Sequence, residues 1–244
     1  MKTSGIGPSV GAVSRPRRHH SSRSGERSYC LVAAVLALLV ILPWAHAETV
    51  KVARLKYGGG GDWYANPTSV PNLLAVVRQR TTIAIAPKPD IADIDSDDIF
   101  KYAMLFVTGH GRIRFTAPQA ERLRRYLRSG GFVHVDDNYG LDESFRPEMR
   151  KMLPDMPLVE LPFDHPIYHA FYDFPRGLPK VHEHHGGPPH GYGVIYEGRV
   201  VLFYSYNTDL QDGWESAEVH HDPPDIREAA LKMGVNVVTY ALSR

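Results

Sequence analysis

The sequence predicts an α/β domain with a mostly parallel sheet covered by helices on both faces. Three observations lead to this fold class. Short apolar strands alternate with helix-like segments through the first two thirds of the chain after residue 47. The run Ala103 to Val107 is apolar throughout, as expected of a strand buried on both faces. Polar clusters follow three strands, and ligands of open parallel sheets bind at the carboxyl ends of strands.

Caps and prolines place the elements of the amino-terminal half. Val50 to Lys56 is a strand by its composition and leads into four glycines. Ser69 is a suitable helix cap and Pro71 fits a first turn, so a helix is predicted to run to about Arg80. Two prolines interrupt residues 83–94, which predicts two short extended pieces there.

The central elements follow from a capping box and a helix stop. Thr116 and Gln119 have capping-box spacing, and Gly130-Gly131 ends the predicted helix. Phe132 to Asp136 is the next strand, and Asp142 to Leu153 is predicted to be helical.

The carboxyl-terminal third predicts a hairpin and a last helix. Leu158 to Leu161 is a short strand. Gly193–Tyr196 and Val200–Tyr206 flank a turn, as in a hairpin. Asp222 is the predicted cap of the final helix, with two prolines at its start.

The first 47 residues resemble an export signal. Basic residues precede the apolar run Leu31 to Leu42, and Ala45-His46-Ala47 has the small-x-small form of a cleavage site. Cleavage after Ala47 is favoured; the alternative is an uncleaved membrane anchor. We therefore expect a signal peptide or anchor over 1–47, a single α/β domain over 48–244, and a periplasmic or envelope location.

Composition excludes several functions for residues 48–244. The only cysteine of the chain is Cys30, so this part has no disulfide, thiolate metal site or cysteine nucleophile. Residues 1–47 hold six of the 28 Lys and Arg and one of the 27 Asp and Glu, which leaves the rest at about −4. We expect no nucleic-acid partner, and membrane contact only through an uncleaved amino-terminal segment.

The strand Phe132–Asp136 ends in two adjacent carboxylates. Strand alternation puts His134 and Asp136 on one face and Asp137 on the other. Asp136 and Asp137 are candidate catalytic residues, with Asn138 and Tyr139 as ligand contacts. The alternative is structural: Asp136 orients His134, and Asp137 caps the next helix.

Two further strand ends carry candidate residues. His110 stands between glycines after the strand Ala103–Val107 and is the third candidate catalytic residue. After the first strand come four glycines, then an aspartate and a tryptophan. The candidate ligand contacts in that segment are Gly59, Gly60, Asp62 and Trp63. The glycines are either an anion-binding nest or a flexible loop.

Clustered histidines suggest a divalent metal site as the one cofactor we expect. His182 and His184 share a face if their segment is extended, and this spacing can bind a metal. The alternative is that they are surface histidines near prolines and glycines. The candidate metal ligands are His182, His184, Asp164 and His165.

Four long stretches resemble a known family. They are LKYGGGGDWYANPTS, TGHGRIRF, GGFVHVDDNYG and LPFDHPIYHAFYDFPRGLPK. The chain from Val50 to Leu242 resembles the bacterial family catalogued as domain of unknown function 4159. The resemblance implies a flavodoxin-like three-layer sandwich, similar to class I glutamine amidotransferases and their trehalose-utilisation-like relatives. It implies no activity. Asp136-Asp137-Asn138 stand where amidotransferases carry their catalytic cysteine, so thiolate chemistry is excluded.

Two functions remain compatible with the sequence. One is an exported hydrolase, metal- or carboxylate-assisted, acting on a carbohydrate or another envelope component. In it Asp136 or Asp137 is a general base or metal ligand, and His110 transfers a proton or binds the metal. The other is a non-catalytic binding or scaffold domain of the envelope. The expected partner is a small-molecule or glycan ligand at the polar strand ends, and the binding domain is also compatible with a peptide.

Overall fold

The computed structural model describes residues 48–243, together with Gly11. The strands are β1 (Val52–Lys56), β2 (Asp90–Asp93), β3 (Met104–Val107), β4 (Phe132–Asp136), β5 (Leu158–Glu160), β6 (His190–Tyr196) and β7 (Arg199–Tyr206). They form one sheet in the spatial order β2-β1-β3-β4-β7-β6-β5. The five strands from β2 to β7 are parallel, and β6 and β5 continue the sheet in antiparallel pairing. This is the flavodoxin-like order, extended at one edge.

Helices cover both faces of the sheet. They are α1 (Ser69–Arg80), α2 (Ala117–Arg128), α3 (Asp142–Met152), α4 (Ala217–His220) and α5 (Pro224–Leu242). Short 3-10 helices lie at Asp97–Lys101, Pro166–Tyr168 and Asp212–Trp214. The helices α1 and α5 pack on one face, and α2 and α3 on the other, which makes three layers.

Strand alternation builds the two cores. On β3, Met104 and Phe106 face the α1 and α5 layer, whereas Leu105 and Val107 face α2 and α3. All four side chains are almost completely buried. This explains why the strand is apolar at every position rather than at alternate ones.

The structure confirms the predicted α/β class and the mostly parallel sheet. The first helix spans the residues predicted, and Thr116 and Gln119 form the predicted capping box. The predicted hairpin is β6 and β7, and its second strand continues the parallel section beside β4. Residues 1–47, where the export signal is predicted, lie outside the described residues except for Gly11. Among the described residues, no helix is long and apolar enough to span a bilayer.

Ser69 does not cap the first helix, contrary to the prediction. The buried carboxylate of Glu215 lies across the start of α1 and accepts hydrogen bonds from the amides of Thr68 and Ser69, each at 2.9 Å. It also accepts one from the Thr68 hydroxyl at 2.9 Å. A negative charge at a helix start is favourable because it meets unpaired amides and the positive end of the helix dipole.

The predicted Asp222 cap of the last helix is also wrong. Helix α5 begins at Pro224 without a side-chain cap, and prolines supply its start. Oδ1 of Asp222 instead lies 2.9 Å from Nε2 of His182. The Asp222 carboxylate therefore makes a tertiary contact instead of the helix cap that the local sequence predicts.

His134 is completely buried in the centre of the domain. Its ring stacks on Phe203, with centroids 5.9 Å apart, and lies near Phe106 and Trp214. Nε2 is 3.0 Å from Oγ of Ser205, and Nδ1 has no hydrogen-bond partner among the described residues. Burial lowers the pKa of His134 to about 3, so the imidazole stays neutral.

The buried neutral imidazole predicts a loss of stability in mild acid. The unfolded chain protonates this group near pH 6.5 whereas the folded chain does not until about pH 3, so stability falls as pH drops between these values. Between pH 7 and 5 the loss from His134 is about 2 kcal/mol. Urea unfolding of the protein and of a His134→Gln variant at both pH values measures it. The variant should be less stable at pH 7 and fall less steeply; parallel pH dependence would contradict the assignment.

Candidate functional site

Four parallel strands bring their polar carboxyl ends to one edge of the sheet. The ends of β1, β3 and β4 carry the predicted polar groups, as expected from their common direction. The fourth is β7, which is followed by residues 207–216, here named the β7 loop. This loop contributes most of the buried polar side chains at the edge. They are Asn207, Thr208, Asp209, Gln211, Asp212 and Glu215.

Asp136 attaches the β7 loop to the centre of the sheet. Its side chain is 0% exposed. One carboxylate oxygen accepts a hydrogen bond from the Ser205 hydroxyl, and the other accepts one from the Gln211 amide at 2.7 Å. Nε2 of Gln211 then donates to the carbonyl of Val107 at 3.2 Å. The loop is thereby fixed across the ends of β4 and β3.

The buried chain of Asp136, Ser205 and His134 contains the residue types of a hydrolase triad but has no access to substrate. All three side chains are 0% exposed. Ser205 is hydrogen-bonded to both neighbours and points into the protein, so its hydroxyl is not a usable nucleophile. Burial, the largest cause, raises the pKa of Asp136 well above its usual range, although its two hydrogen bonds oppose the shift. These residues position the loop that carries the exposed chemistry.

Three histidines and two aspartates form a compact cluster, with the aspartates on the β7 loop, His182 and His184 on a segment before it, and His220 in α4 after it. Nδ1 of His182 lies 3.1 Å from Oδ2 of Asp212 and 3.5 Å from Oδ2 of Asp209. Nε2 of His184 is 2.5 Å from the same oxygen of Asp209. Nε2 of His220 is 3.8 Å from Oδ2 of Asp212. We name these five residues the His–Asp cluster.

Two overlapping groups of three residues have donor atoms close enough to hold a metal ion. They are His182 with His184 and Asp209, and His182 with Asp212 and His220, and the donor atoms within each group lie within 4.8 Å of one another. Oδ2 of Asp209 is buried and is approached by the imidazoles of His184 and His182. A buried carboxylate needs positive charge beside it, which a protonated imidazole or a metal ion supplies.

A second layer of residues fixes the cluster. His182 presents Nδ1 to the two cluster aspartates and Nε2 to Asp222, at 2.9 Å. Asn66 donates to Oδ1 of Asp212 at 2.5 Å and leaves Oδ2 facing the histidines. An imidazole held by a carboxylate on its outer nitrogen is the usual arrangement of a metal-binding histidine.

The cluster carries more negative charge than one imidazolium can balance. The carboxylates of Asp209, Asp212 and Asp222 raise the pKa of His182 to about 10, against the opposite effect of burial. Burial acts to raise the pKa of Asp212, but His182, His220 and Asn66 together hold it below its usual range. With Asp222, three carboxylates therefore surround the His182 imidazole in a largely buried place.

The switch point of the sheet lies between β1 and β3 and carries an oriented histidine. Nδ1 of His110 is 3.1 Å from Oδ2 of Asp62, and the His110 amide donates to Oδ1 of the same carboxylate. The His110 side chain is 53% exposed. Since the carboxylate holds Nδ1, Nε2 is the nitrogen available to solvent and to a substrate.

The glycine run after β1 packs against the backbone that follows His110. A Cβ on Gly59 would lie 2.6 Å from the Arg114 nitrogen, and one on Gly61 would lie 2.7 Å from the Arg112 oxygen. Gly59 also has a φ of +111°. These positions require glycine because the two backbones approach closely. Gly60, by contrast, is open to space on its Cβ side.

The remaining residues predicted at the end of β4 point in different directions. Oδ1 of Asp137 accepts from the Asp142 amide at 3.3 Å at the start of α3, and burial raises the pKa of Asp137 to about 6. The side chain of Asn138 is buried, and neither its amide oxygen nor its amide nitrogen has a hydrogen-bond partner among the described residues. Tyr139 is 52% exposed and packs on the rings of His184 and His185.

The structure separates the four predicted metal ligands into two places. His182 and His184 belong to the His–Asp cluster. His165 instead caps a 3-10 helix by accepting from the Ile167 amide, and its ring lies 5.5 Å from that of Tyr240. Asp164 is exposed beside it. In addition, Trp63 packs against the core beneath the edge, and its carbonyl accepts from Arg54.

The family model described as Domain of unknown function (DUF4159) matches residues 51–242. The chain belongs to the DUF4159 family. This confirms the family resemblance of the sequence. Comparison with curated proteins gives no match. The matched region of this DUF4159 protein contains both the His–Asp cluster and the switch point.

Sequence reasoning missed Asp209 and Asp212, which supply the carboxylates of the cluster. The signal was present: an Asp-x-x-Asp pair begins three residues after the end of β7. A hairpin with Val200–Tyr206 as its second strand does not by itself bring this pair to the polar edge of the sheet. The parallel pairing of that strand with β4, which brings its end to the site, is a tertiary fact.

We expect Asp136 to act by positioning the β7 loop. Asp136→Ala leaves the buried Gln211 amide without its acceptor, whereas the Ser205 hydroxyl can still donate to the Val135 carbonyl at 3.2 Å. The variant should therefore cost about 2 kcal/mol of unfolding free energy. Asp136→Asn keeps one acceptor oxygen for Gln211 and can donate to Ser205, so it should cost no more than about 1 kcal/mol. Urea unfolding of both variants measures this. An unchanged stability of Asp136→Ala would mean that Asp136 does not hold the loop.

Proposed function

We propose that this DUF4159 protein is a metal-assisted hydrolase with its metal centre in the His–Asp cluster. The observation that carries the proposal is the convergence of the His182 and His184 imidazoles on the buried Oδ2 of Asp209, with the Asp212 carboxylate beside them. Imidazole and carboxylate donor atoms this close together form a ligand set for a cation. A divalent ion would find these ligands already in place.

The donor set suits a borderline divalent ion. Imidazole nitrogens with carboxylate oxygens and no thiolate are ligands for zinc, manganese or iron rather than for calcium or magnesium. His182, fixed by Asp222 on its other nitrogen, would be the central ligand. Asp209 and Asp212 would each give one oxygen, and His184 and His220 would complete the set.

Hydrolysis requires an activated water and a route for protons. A bound divalent ion supplies the first by making its water more acidic. His110 supports the second, because Asp62 holds its Nδ1 and leaves Nε2 free to donate a proton to a leaving group. Gln211 connects the two places: it is adjacent to Asp212 in the chain, and it bonds Val107, three residues before His110.

The substrate we propose is a carbohydrate or another component of the cell envelope. Tyr139 is the exposed aromatic residue nearest the cluster, and it stacks on His185 with ring centroids 5.3 Å apart. An aromatic face beside polar groups is a common platform for sugar rings.

Export and a distant relation to amidotransferases are parts of the same proposal. Export rests on the basic, apolar and small-residue pattern of residues 1–47. The relation to class I glutamine amidotransferases is supported by the strand order and by the polar elbow after β4. Residues 48–244 contain no cysteine, so the chemistry would differ from the thiolate chemistry of those enzymes. Amino-terminal sequencing of the secreted or membrane-bound protein tests export and cleavage after Ala47.

A second function is favoured by a different reading of the same cluster. An imidazolium at His182 pairs directly with Asp209, Asp212 and Asp222 and holds the cluster together without a metal. The domain would then bind an envelope ligand or protein at this edge without turning it over. The resistance of His182 to deprotonation, with a pKa of about 10, is the specific observation in favour.

Metal content distinguishes the two functions. Protein purified without chelators should hold close to one divalent ion per chain, and His182→Ala and Asp209→Asn should hold less than a tenth of that, since each loses a central ligand. Inductively coupled plasma mass spectrometry measures it. His165→Ala is the matched control and should keep its metal. No metal in the wild-type protein after loading with zinc, manganese and calcium would favour the binding domain.

His110 should contribute to turnover without contributing to metal binding. We expect His110→Ala to lower kcat by about 10²-fold or more, as for loss of a general acid, with metal content unchanged. Hydrolysis of nitrophenyl esters, phosphates and glycosides is the assay. The control is His169→Ala, because His169 forms a similar pair with Asp173, at 2.5 Å, far from the strand ends in the fold. Equal rates for the two variants would remove His110 from the mechanism.

A further inference from the structure

We propose that a cavity at the switch point binds an anionic group of the substrate, a phosphate or a carboxylate, through Arg112 and Arg114. The proposal rests on the proposed function in that it describes the substrate of the same sheet edge. The cavity measures about 330 Å³ and is lined by Gly59, by both arginines with Ile113 between them, and by the first turns of α3. This volume is at the lower end of the range for ligand sites, about 300–1,000 Å³.

The two arginines lie on one face of an extended segment. Ile113 and Phe115 are each 2% exposed and anchor the segment in the core. Arg112, which precedes Ile113, and Arg114, which lies between the two anchors, are exposed. The alternation of a strand turns both guanidinium groups to the same side. The backbone pairing of Gly58 with Arg114 holds the segment in place.

Neither arginine has a counter-ion within the described chain. Among residues 48–243, no ion pair involves Arg112 or Arg114. Glu148 is the one acidic residue that lines the cavity. It accepts from the Phe115 amide at 2.9 Å and lies 3.5 Å from Nζ of Lys151, so its charge is already compensated. The cavity is therefore positively charged.

Two guanidinium groups on one side favour an anion with several oxygens. An arginine can donate two parallel hydrogen bonds to a carboxylate or phosphate, and two arginines can hold both sides of such a group. The closely packed glycine run leaves the backbone of residues 58–61 accessible without side chains, which suits the approach of a charged ligand.

The position of the cavity connects it to the proposed chemistry. In flavodoxin-like sheets the crevice between β1 and β3 is where the strand order reverses and where ligands bind. His110 lies two residues before Arg112, and the Gly61 amide donates to the Arg112 carbonyl at 2.8 Å. An anionic group held by Arg112 and Arg114 would thus place the rest of a substrate beside His110.

The test is a titration of inorganic phosphate and, separately, acetate into the full protein, followed by ¹H–¹⁵N NMR at low ionic strength. We expect saturable shifts of the amides of residues 58–61 and 112–114. The double variant Arg112→Gln/Arg114→Gln should bind at least ten-fold more weakly. Arg176→Gln, an exposed arginine without an ion pair in the described chain, is the matched control and should bind as the wild type does. Binding of phosphate alone indicates a phosphorylated substrate, and binding of both anions indicates a carboxylate site as well.

His182→Ala separates this proposal from the metal centre. If it binds phosphate within two-fold of the wild type while the double arginine variant does not, the anion site stands whether or not the cluster holds a metal. Loss of phosphate binding in His182→Ala with retention in the arginine variant would place phosphate on the metal and overturn the anion site. The anion site would also be overturned if the wild type binds neither phosphate nor acetate, or if the arginine variant and the wild type bind with equal affinity.

Discussion

The hydrogen bonds of Asp136 are the interaction on which the site depends. A fully buried carboxylate is tolerated because the Ser205 hydroxyl and the Gln211 amide take one oxygen each. Through Gln211 the carboxylate holds the β7 loop over the ends of β3 and β4. Without this attachment, Asp209 and Asp212 would belong to a surface loop of variable position. A polar group at the centre of the sheet thus converts a loop into a rigid part of the site.

The charge balance of the His–Asp cluster follows from that attachment. Fixing Asp209 and Asp212 next to His182 creates a concentration of carboxylate that water solvates poorly, because both aspartates are almost completely buried. Histidines from two other segments of the chain offset this cost, together with any bound cation.

The flavodoxin-like topology gives the edge two functional halves. At the switch point between β1 and β3, tight glycine packing leaves room beside His110 and two exposed arginines. At β4 and β7, the inserted strand of the hairpin adds the acidic loop. Asn66 joins the halves. Its side chain donates a hydrogen bond to Asp212. It also lies four residues after Asp62, a separation of at most about 14 Å along the chain. One ligand could therefore contact both halves.

The sequence determined the layers and most elements of this protein, because these depend on local patterns. Continuous apolar strands, a capping box and proline starts act over a few residues, and they located β3, α1 and α2 correctly. It also located His110, Asp62 and His182 near strand ends or in a histidine-rich segment. The absence of cysteine from residues 48–244 limited the chemistry before any fold was known.

Only the tertiary structure decided which polar residues meet. Asp136 and Asp137 are adjacent in the chain but bind opposite layers, whereas Asp209 reaches His182 and His184 from a distant loop. Asp222 does not take the helix-cap role that local rules suggest but pairs with His182, and the carboxylate at the start of α1 comes from Glu215, which is distant in the chain. The parallel placement of β7 beside β4 was the deciding step. Strand pairing between segments about 70 residues apart depends on the packing of the whole sheet, and no local pattern encodes it.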